Sequence, residues 1–150
     1  MNTTGKLRSI DLAGSALDEV ISMDHQYFPN PWTEQQWRDL NPALNLLLVW
    51  QPQDKCQGFA LFGAVPGDNS AHLYKILLHP DCRGTGMAQE FWQASCLFLK
   101  ANGIISVYLE VEADNAPAIT FYQKVGYKLL RKSKGYYSNG QDALIMELTL

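Results

Sequence analysis

Nowhere in the 150 residues does an apolar run reach the length of a membrane span. The first ten residues, Met1 to Ile10, carry polar side chains where a secretory signal needs an apolar core. Cysteine is scarce. Cys56, Cys82 and Cys96 are odd in number and far apart, which argues against both a disulfide framework and a zinc knuckle. His25, His72 and His79 are equally scattered, so no metal site is expected. The net charge of -3 is too mild to hold nucleic acid by electrostatics alone. Two nucleotide-binding fingerprints are missing as well. There is no Gly-Lys-Ser/Thr of a P-loop, and the turn around Gly84 and Gly86 lacks the third glycine of a dinucleotide-binding motif. These absences leave a reduced, cytoplasmic enzyme or binding domain as the expectation.

What is present is an ordinary globular composition, 47% apolar and 18% charged. Without repeats, low-complexity segments or linkers, residues 1–150 read as one mixed α/β domain. Apolar spacing predicts a short strand at Lys6 to Ile10 and a helix from Ser15 to Phe28, with Leu17, Val20, Ile21 and Met23 on its inner face. The prolines of Phe28-Pro29-Asn30-Pro31-Trp32 interrupt any helix there. Thr33 and Gln36 have the spacing of a capping box, opening a short second helix through Trp37 and Leu40. Strands are expected at Asn45 to Trp50, Gly58 to Val65 and His72 to Leu78, joined by polar turns. A third helix, Thr85 to Ala101, presents Met87, Phe91, Ala94, Phe98 and Ala101 on one stripe and stops at Asn102-Gly103. A strand at Ile104 to Val111 precedes a helix opened by Asn115 and Pro117, with Ala118, Phe121, Tyr122 and Val125 inward. Tyr127 to Lys132 and Ala143 to Leu148 complete a count of about seven strands and four helices.

The stretch Leu78-His79-Pro80-Asp81-Cys82-Arg83-Gly84-Thr85-Gly86-Met87-Ala88-Gln89 stands out. It joins a buried strand to a helix start, where unpaired backbone N–H groups and a partial positive charge favour anions. Its glycines let a ligand approach the backbone closely. Taken alone, such a turn is an ordinary one. Taken with the second half of the chain, it is not. His79-Pro80-Asp81, Arg83-Gly84-Thr85-Gly86-Met87-Ala88 (the pattern Arg/Gln-x-x-Gly-x-Gly/Ala), Leu109-Glu110-Val111, Asn115-Ala116-Pro117-Ala118-Ile119 and Phe121-Tyr122-Gln123-Lys124-Val125-Gly126-Tyr127 occur in the order and spacing of the GNAT acetyltransferase superfamily. Phe28-Pro29-Asn30-Pro31-Trp32-Thr33-Glu34, Gly135-Tyr136-Tyr137 and Asp142-Ala143-Leu144-Ile145-Met146 resemble one branch of it, the RimI-like ribosomal-protein-alanine N-acetyltransferases. The resemblance covers nearly the whole chain.

That resemblance implies a central sheet splayed between its fourth and fifth strands, with acetyl-CoA as co-substrate in the gap. It places backbone groups of Ile76, Leu77 and Leu78 on the pantetheine arm or the oxyanion. The pyrophosphate would lie on the N–H groups of Arg83, Gly84, Thr85, Gly86, Met87 and Ala88. Arg83 adds a cation there or stays a solvated turn residue. Asn115 is either a helix cap or a cofactor partner. Glu110 matches the family's general base, acting through water, against the plainer reading of a surface carboxylate. Tyr122 matches the acid that protonates the departing thiolate, a role compatible with core packing. Trp32, Tyr136 and Tyr137 are candidate walls of the acceptor groove, although each is individually suited to core or cover. His72 falls near the acceptor side and reads as strand-pairing surface or as an aid to binding.

Two residues depart from the branch. Lys75 stands where asparagine is usual, and Gly135 replaces an asparagine before the tyrosine pair; both flank the acceptor channel in the family picture. The implied acceptor is the N-terminal alanine of a ribosomal protein. The alternatives are a small-molecule amine or a lysine side chain, and then a non-catalytic acyl-CoA sensor. Direct nucleic-acid or membrane binding is not expected.

Overall fold

The structure, a computed structural model, describes residues 6–150, so Met1 to Gly5 of the signal-peptide reading lie outside the described residues. The elements run β1 (Leu7–Ser9), α1 (Ala16–Tyr27), α2 (Glu34–Arg38), β2 (Asn45–Trp50), β3 (Gly58–Ala64), β4 (Ser70–Leu78), a 3₁₀ turn (Pro80–Cys82), α3 (Met87–Ala101), β5 (Ser106–Glu112), α4 (Ala116–Lys124), β6 (Lys128–Ser133) and β7 (Ala143–Thr149). Among the described residues seven strands and four α-helices appear, as the apolar spacing predicts. At α2 the capping box forms: the Gln36 N–H donates to Thr33 Oγ1, and the Thr33 N–H donates to Gln36 Oε1. Helix α3 begins at Met87 rather than Thr85, because Gly86 takes φ +80 and Gly84 φ +73, values an α-helix cannot contain.

The sheet order is β1-β2-β3-β4-β5-β7-β6, antiparallel throughout except for parallel β4 and β5. That parallel pairing is short. It joins Ser70, Ala71 and His72 to Ser106, Val107 and Tyr108, after which the two strands part. The cause of the divergence lies on β4. Phe62 of β3 faces Leu73 and Leu61 faces Lys75, so Tyr74 is an extra, unpaired residue, a bulge that bends its strand. Tyr74 lies over Gly63, where a Cβ would come within 2.4 Å of its hydroxyl.

The bulge also exchanges the faces of β4. Ala71 and Leu73 pack with the α3 and α4 side of the core, among Phe62, Phe91, Trp92 and Leu99. Beyond Tyr74 it is Ile76 and Leu78 that face this side, while Leu77 joins Leu17, Val20, Trp37, Phe59 and Leu61 beneath α1 and α2. Strand β2 alternates cleanly by contrast, with Leu48 and Trp50 on one face and Leu47 and Val49 on the other.

One stripe needs correction. The buried face of α3 is Phe91, Trp92, Ala94, Ser95 and Leu99; Phe98 is half-buried and Ala101 exposed. The buried stripe keeps Phe91 and Ala94 but runs one position further round, through Trp92 and Leu99, with Met87 and Phe98 packed along its edge. Among the described residues, no helix is long and apolar enough to cross a membrane.

Candidate active site

Where β4 and β5 separate they leave a cleft of about 1160 Å³. Leu73 to Leu77 form its β4 wall and Leu109 to Glu112 its β5 wall. Asp114, Asn115, Ala118 and Tyr122, from the start of α4 and the residues before it, line it further. Tyr27, Phe28, Pro29 and Asn30 close it from the α1–α2 connection, and Tyr137, Ser138 and Asn139 from the β6–β7 loop. Once paired strands diverge, the backbone groups of β4 facing the gap have no strand partner, and an extended ligand can take them up.

Of the predicted donor-side residues, Ile76, Leu77, Arg83 and Asn115 lie on this cleft. Leu78 is buried in the core and can offer only backbone there. Gly84, Thr85, Gly86, Met87 and Ala88 lie beyond the cleft wall, around the start of α3. A Cβ added at Gly84 or Gly86 would meet nothing within 4 Å, so what these positions demand of glycine is the positive φ. The α3 cap position is a glycine with no side chain to bond, and beyond Met87, whose N–H meets Thr85, this leaves the N–H groups of Ala88 and Gln89 available to an anion. Thr85 steadies the turn, its hydroxyl donating to the Cys82 carbonyl and accepting from the Met87 N–H at 3.3 Å. Asn115 caps α4, its side-chain oxygen accepting from the Ala118 N–H at 3.3 Å, while lining the cleft.

On β5, Tyr108, Glu110 and Glu112 share the face opposite α3, and Glu110 opens on the cleft. Its Oε1 lies 2.7 Å from His72 Nε2 and 3.4 Å from the Tyr136 hydroxyl, which donates to it. His72 is therefore not idle strand surface. Its ring stacks on Tyr108 at 4.4 Å and leans on Tyr74 at 4.4 Å. Burial, then the neighbouring Glu110, raise the Tyr136 phenol above its ordinary value. Tyr137 lies on the cleft, and burial together with Glu112 and Glu110 pushes its phenol up to about 12. Tyr122 packs edge-on against Phe121 and Tyr127, and burial pushes its phenol up to about 12. A hydroxyl so held keeps its proton near neutrality, on a residue that lines the cleft.

Lys75 lines the cleft but turns its ammonium away from it, and Trp32 lies off the cleft. The bulge turns Lys75 toward α1 and α2, where its ammonium is sealed. Its Nζ donates to Asp24 Oδ1 at 2.6 Å and sits 4.1 Å from the Phe28 ring, 5.1 Å from Trp32 and 5.6 Å from Trp37. Burial lowers the lysine from its ordinary value, while Asp24 acts in the opposite direction. The other Asp24 oxygen accepts from the Trp32 backbone N–H and from Trp37 Nε1, each at 2.8 Å. Trp32 thus belongs to a cage behind the cleft wall formed by Phe28, and not to the wall itself. Nothing in the one-dimensional pattern pairs Asp24 with a residue 51 positions away. Gly135 takes φ +61 in the β6–β7 loop, its N–H donating to Asp142.

A splayed sheet, an uncapped helix start beside it, and a carboxylate and a phenol on one cleft define the site. Residues 17–127 match the model of the acetyltransferase (GNAT) family. The chain belongs to the GNAT family. Across its whole length it is 28% identical to the [ribosomal protein bS18]-alanine N-acetyltransferase of Salmonella typhimurium, over 99% of that protein. The crystal structure of the ribosomal-protein-S18-alanine N-acetyltransferase from Escherichia coli superposes with a TM-score of 0.83 at 26% identity, over 99% of this chain and 94% of that one. Arabidopsis thaliana NAA60, solved in complex with acetyl-CoA, shares the fold with a TM-score of 0.77 at 16% identity, over 96% and 98% of the two chains. As a GNAT N-acetyltransferase the chain has the splayed sheet and α3 turn its motifs imply. Among the described residues no group of three His, Cys, Asp or Glu side chains stands close enough to hold a metal.

Proposed function

We propose that this GNAT enzyme moves an acetyl group from acetyl-CoA directly to the N-terminal alanine amino group of a ribosomal protein, in the cytoplasm. The observation that carries the acceptor is the end-to-end similarity to bS18-alanine N-acetyltransferases, which includes the segments bounding the acceptor half of the cleft. Supporting the donor are the unpaired β4 edge at Ile76 and Leu77, the uncapped start of α3, and Arg83 and Asn115 on the cleft. Acetyl-CoA supplies the activated thioester when bound.

Each residue then has a task. An N-terminal amine arrives largely as ammonium, with an ordinary pKa of about 8, and must lose a proton before it can attack. Glu110 takes that proton, directly or through a water. A backbone N–H near Leu77 or Leu78 meets the oxyanion. Tyr122 serves the leaving sulfur. With its phenol near 12 and a thiol near about 8.5, full proton transfer is uphill by several pKa units, so its first contribution is a hydrogen bond to the developing thiolate. Tyr137, Ser138 and Asn139 bound the acceptor from the β6–β7 loop, and Tyr136 acts through Glu110.

The acceptor is tested by thiol release from acetyl-CoA with an alanine-starting ribosomal peptide, set beside polyamines, amino acids, aminoglycosides and a lysine peptide. Turnover confined to the alanine peptide is expected. Faster turnover of a small amine or of the lysine side chain replaces this acceptor while leaving the chemistry. No turnover at all, with a thermal shift on acetyl-CoA, would point to an acyl-CoA sensor.

A further inference from the structure

We infer that His72 is the positioning residue of the catalytic base: with Tyr136 it binds one oxygen of Glu110, so that the other is kept for the acceptor amine. The inference rests on the base assignment above and extends it to a residue outside the family motifs quoted for the chain.

Both protein contacts of the Glu110 carboxylate fall on the same atom. His72 Nε2 approaches Oε1 at 2.7 Å and the Tyr136 hydroxyl approaches it at 3.4 Å. Oε2 has no hydrogen-bond partner among the described residues, on a side chain that lines the cleft. An ionised carboxylate only accepts, so the shared proton belongs to Nε2, and in the neutral ring Nδ1 is left as a lone pair. A carboxylate free to rotate about its last torsion spreads its basic electron pairs over many directions. One anchored through Oε1 presents Oε2 in a single direction, which is the geometry that proton abstraction needs.

The anchor is itself held. Tyr108 stacks on the imidazole with an interplanar angle of 20°, and Tyr74, the bulge residue, leans on it at 53°. The two rings restrict imidazole rotation and keep Nε2 aimed at Glu110. The placement comes from the sheet. His72 is the last residue of β4 to pair with β5, opposite Tyr108, and Glu110 is the next residue of β5 on that face, just where the strands begin to part. His72 and Glu110 also open on different spaces. Glu110 lines the large cleft, and His72 lines a smaller one of about 300 Å³ with Asn45, Asp68 and Ser70. The pair thus forms the partition between them, with the base on one side and its support on the other.

The test uses substitutions that separate the donor from the ring. His72→Phe keeps an aromatic ring between Tyr74 and Tyr108 and deletes the N–H. His72→Gln places an amide N–H near the Nε2 position, and His72→Asn places one near Nδ1. With acetyl-CoA and the alanine-starting peptide, or whichever amine of the panel turns over, His72→Phe is expected to lower kcat about 10- to 100-fold, the scale of one hydrogen bond to a charged group, with the KM for acetyl-CoA unchanged. His72→Gln should recover most of that loss and His72→Asn should not. In a Glu110→Gln background His72→Phe should have little further effect. A His72→Phe enzyme at the wild-type rate while Glu110→Gln is impaired overturns the inference alone. Glu110→Gln at the wild-type rate overturns the base assignment beneath it. Nitrogen NMR of the His72 ring reads the arrangement without turnover: an Nε2–H tautomer that changes in Glu110→Ala supports it, and an Nδ1–H tautomer overturns it.

Discussion

Two carboxylates meet nitrogen donors on either side of the same bulge on β4, and the protein treats the two pairs oppositely. Lys75 with Asp24 is sealed, its side chains 3% and 0% exposed, with three aromatic rings around the ammonium and two N–H donors on the far carboxylate oxygen. His72 with Glu110 is left ajar, at 20% and 17%, with one carboxylate oxygen unclaimed. Both face the same side of the sheet, three residues apart. The first pair engages both carboxylate oxygens in holding the α1–α2 connection against the sheet. The second keeps a share for a ligand. A carboxylate with both oxygens engaged marks an architectural contact, and one with a free oxygen at a cleft marks a chemical one.

The contrast can be broken at either end. Glu110→Gln removes the proposed base yet leaves an oxygen for His72. A drop in kcat of about 10²- to 10⁴-fold is expected with an unchanged thermal midpoint. Asp24→Asn should do the reverse. It leaves a buried ammonium without its counter-charge, and a loss of about 3–5 kcal/mol in chemical denaturation is expected, with kcat per folded molecule much less affected. If Asp24→Asn lowers kcat as far as Glu110→Gln does without destabilising the fold, the division between the two pairs fails.

A smaller effect concerns Tyr122, the proposed partner of the leaving thiol. Below pH 10 Tyr122 is protonated whether the chain is folded or unfolded, so its contribution is fully present. Its folded value is raised to about 12 by burial, so between those limits only the unfolded chain ionises and stability falls as pH rises. The expected loss is about 3 kcal/mol across that interval, and Tyr122→Phe should flatten the alkaline limb of a stability–pH curve. The smallest effect is at Tyr136, which is half-exposed and contacts Glu110 at 3.4 Å. Tyr136→Phe should lower kcat by no more than about fivefold, the scale of a weak net hydrogen bond. A loss as large as that of His72→Phe would make the two donors equal partners.

Much of this molecule is legible in one dimension because the relevant physics is local. Alternation on β2, the capping box at Thr33 and Gln36, and the stop after Ala101 each depend on residues within a turn or two of one another. The α3 stripe lies a position away from the one its apolar spacing predicts, since spacing alone does not say that Trp92 and Leu99 outweigh Phe98 and Ala101. On the site, the motif residues Ile76, Arg83, Glu110, Asn115 and Tyr122 all reach one cleft. Trp32 instead lies behind it, and Lys75, though it lines the cleft, turns its ammonium to Trp32 and Asp24, because a single unpaired residue, Tyr74, turns the β4 side chains over. A bulge is a property of two strands in register, and no periodicity within β4 announces it.

Residue type and near spacing are enough to set the family, the count and order of the elements, and the acidic and phenolic side chains available for acyl transfer. The use made of those charges is settled in three dimensions. His72 and Glu110 are 38 positions apart and Lys75 and Asp24 are 51 apart. Which pair is sealed and which left open depends on the bulge at Tyr74 and on where β4 and β5 part.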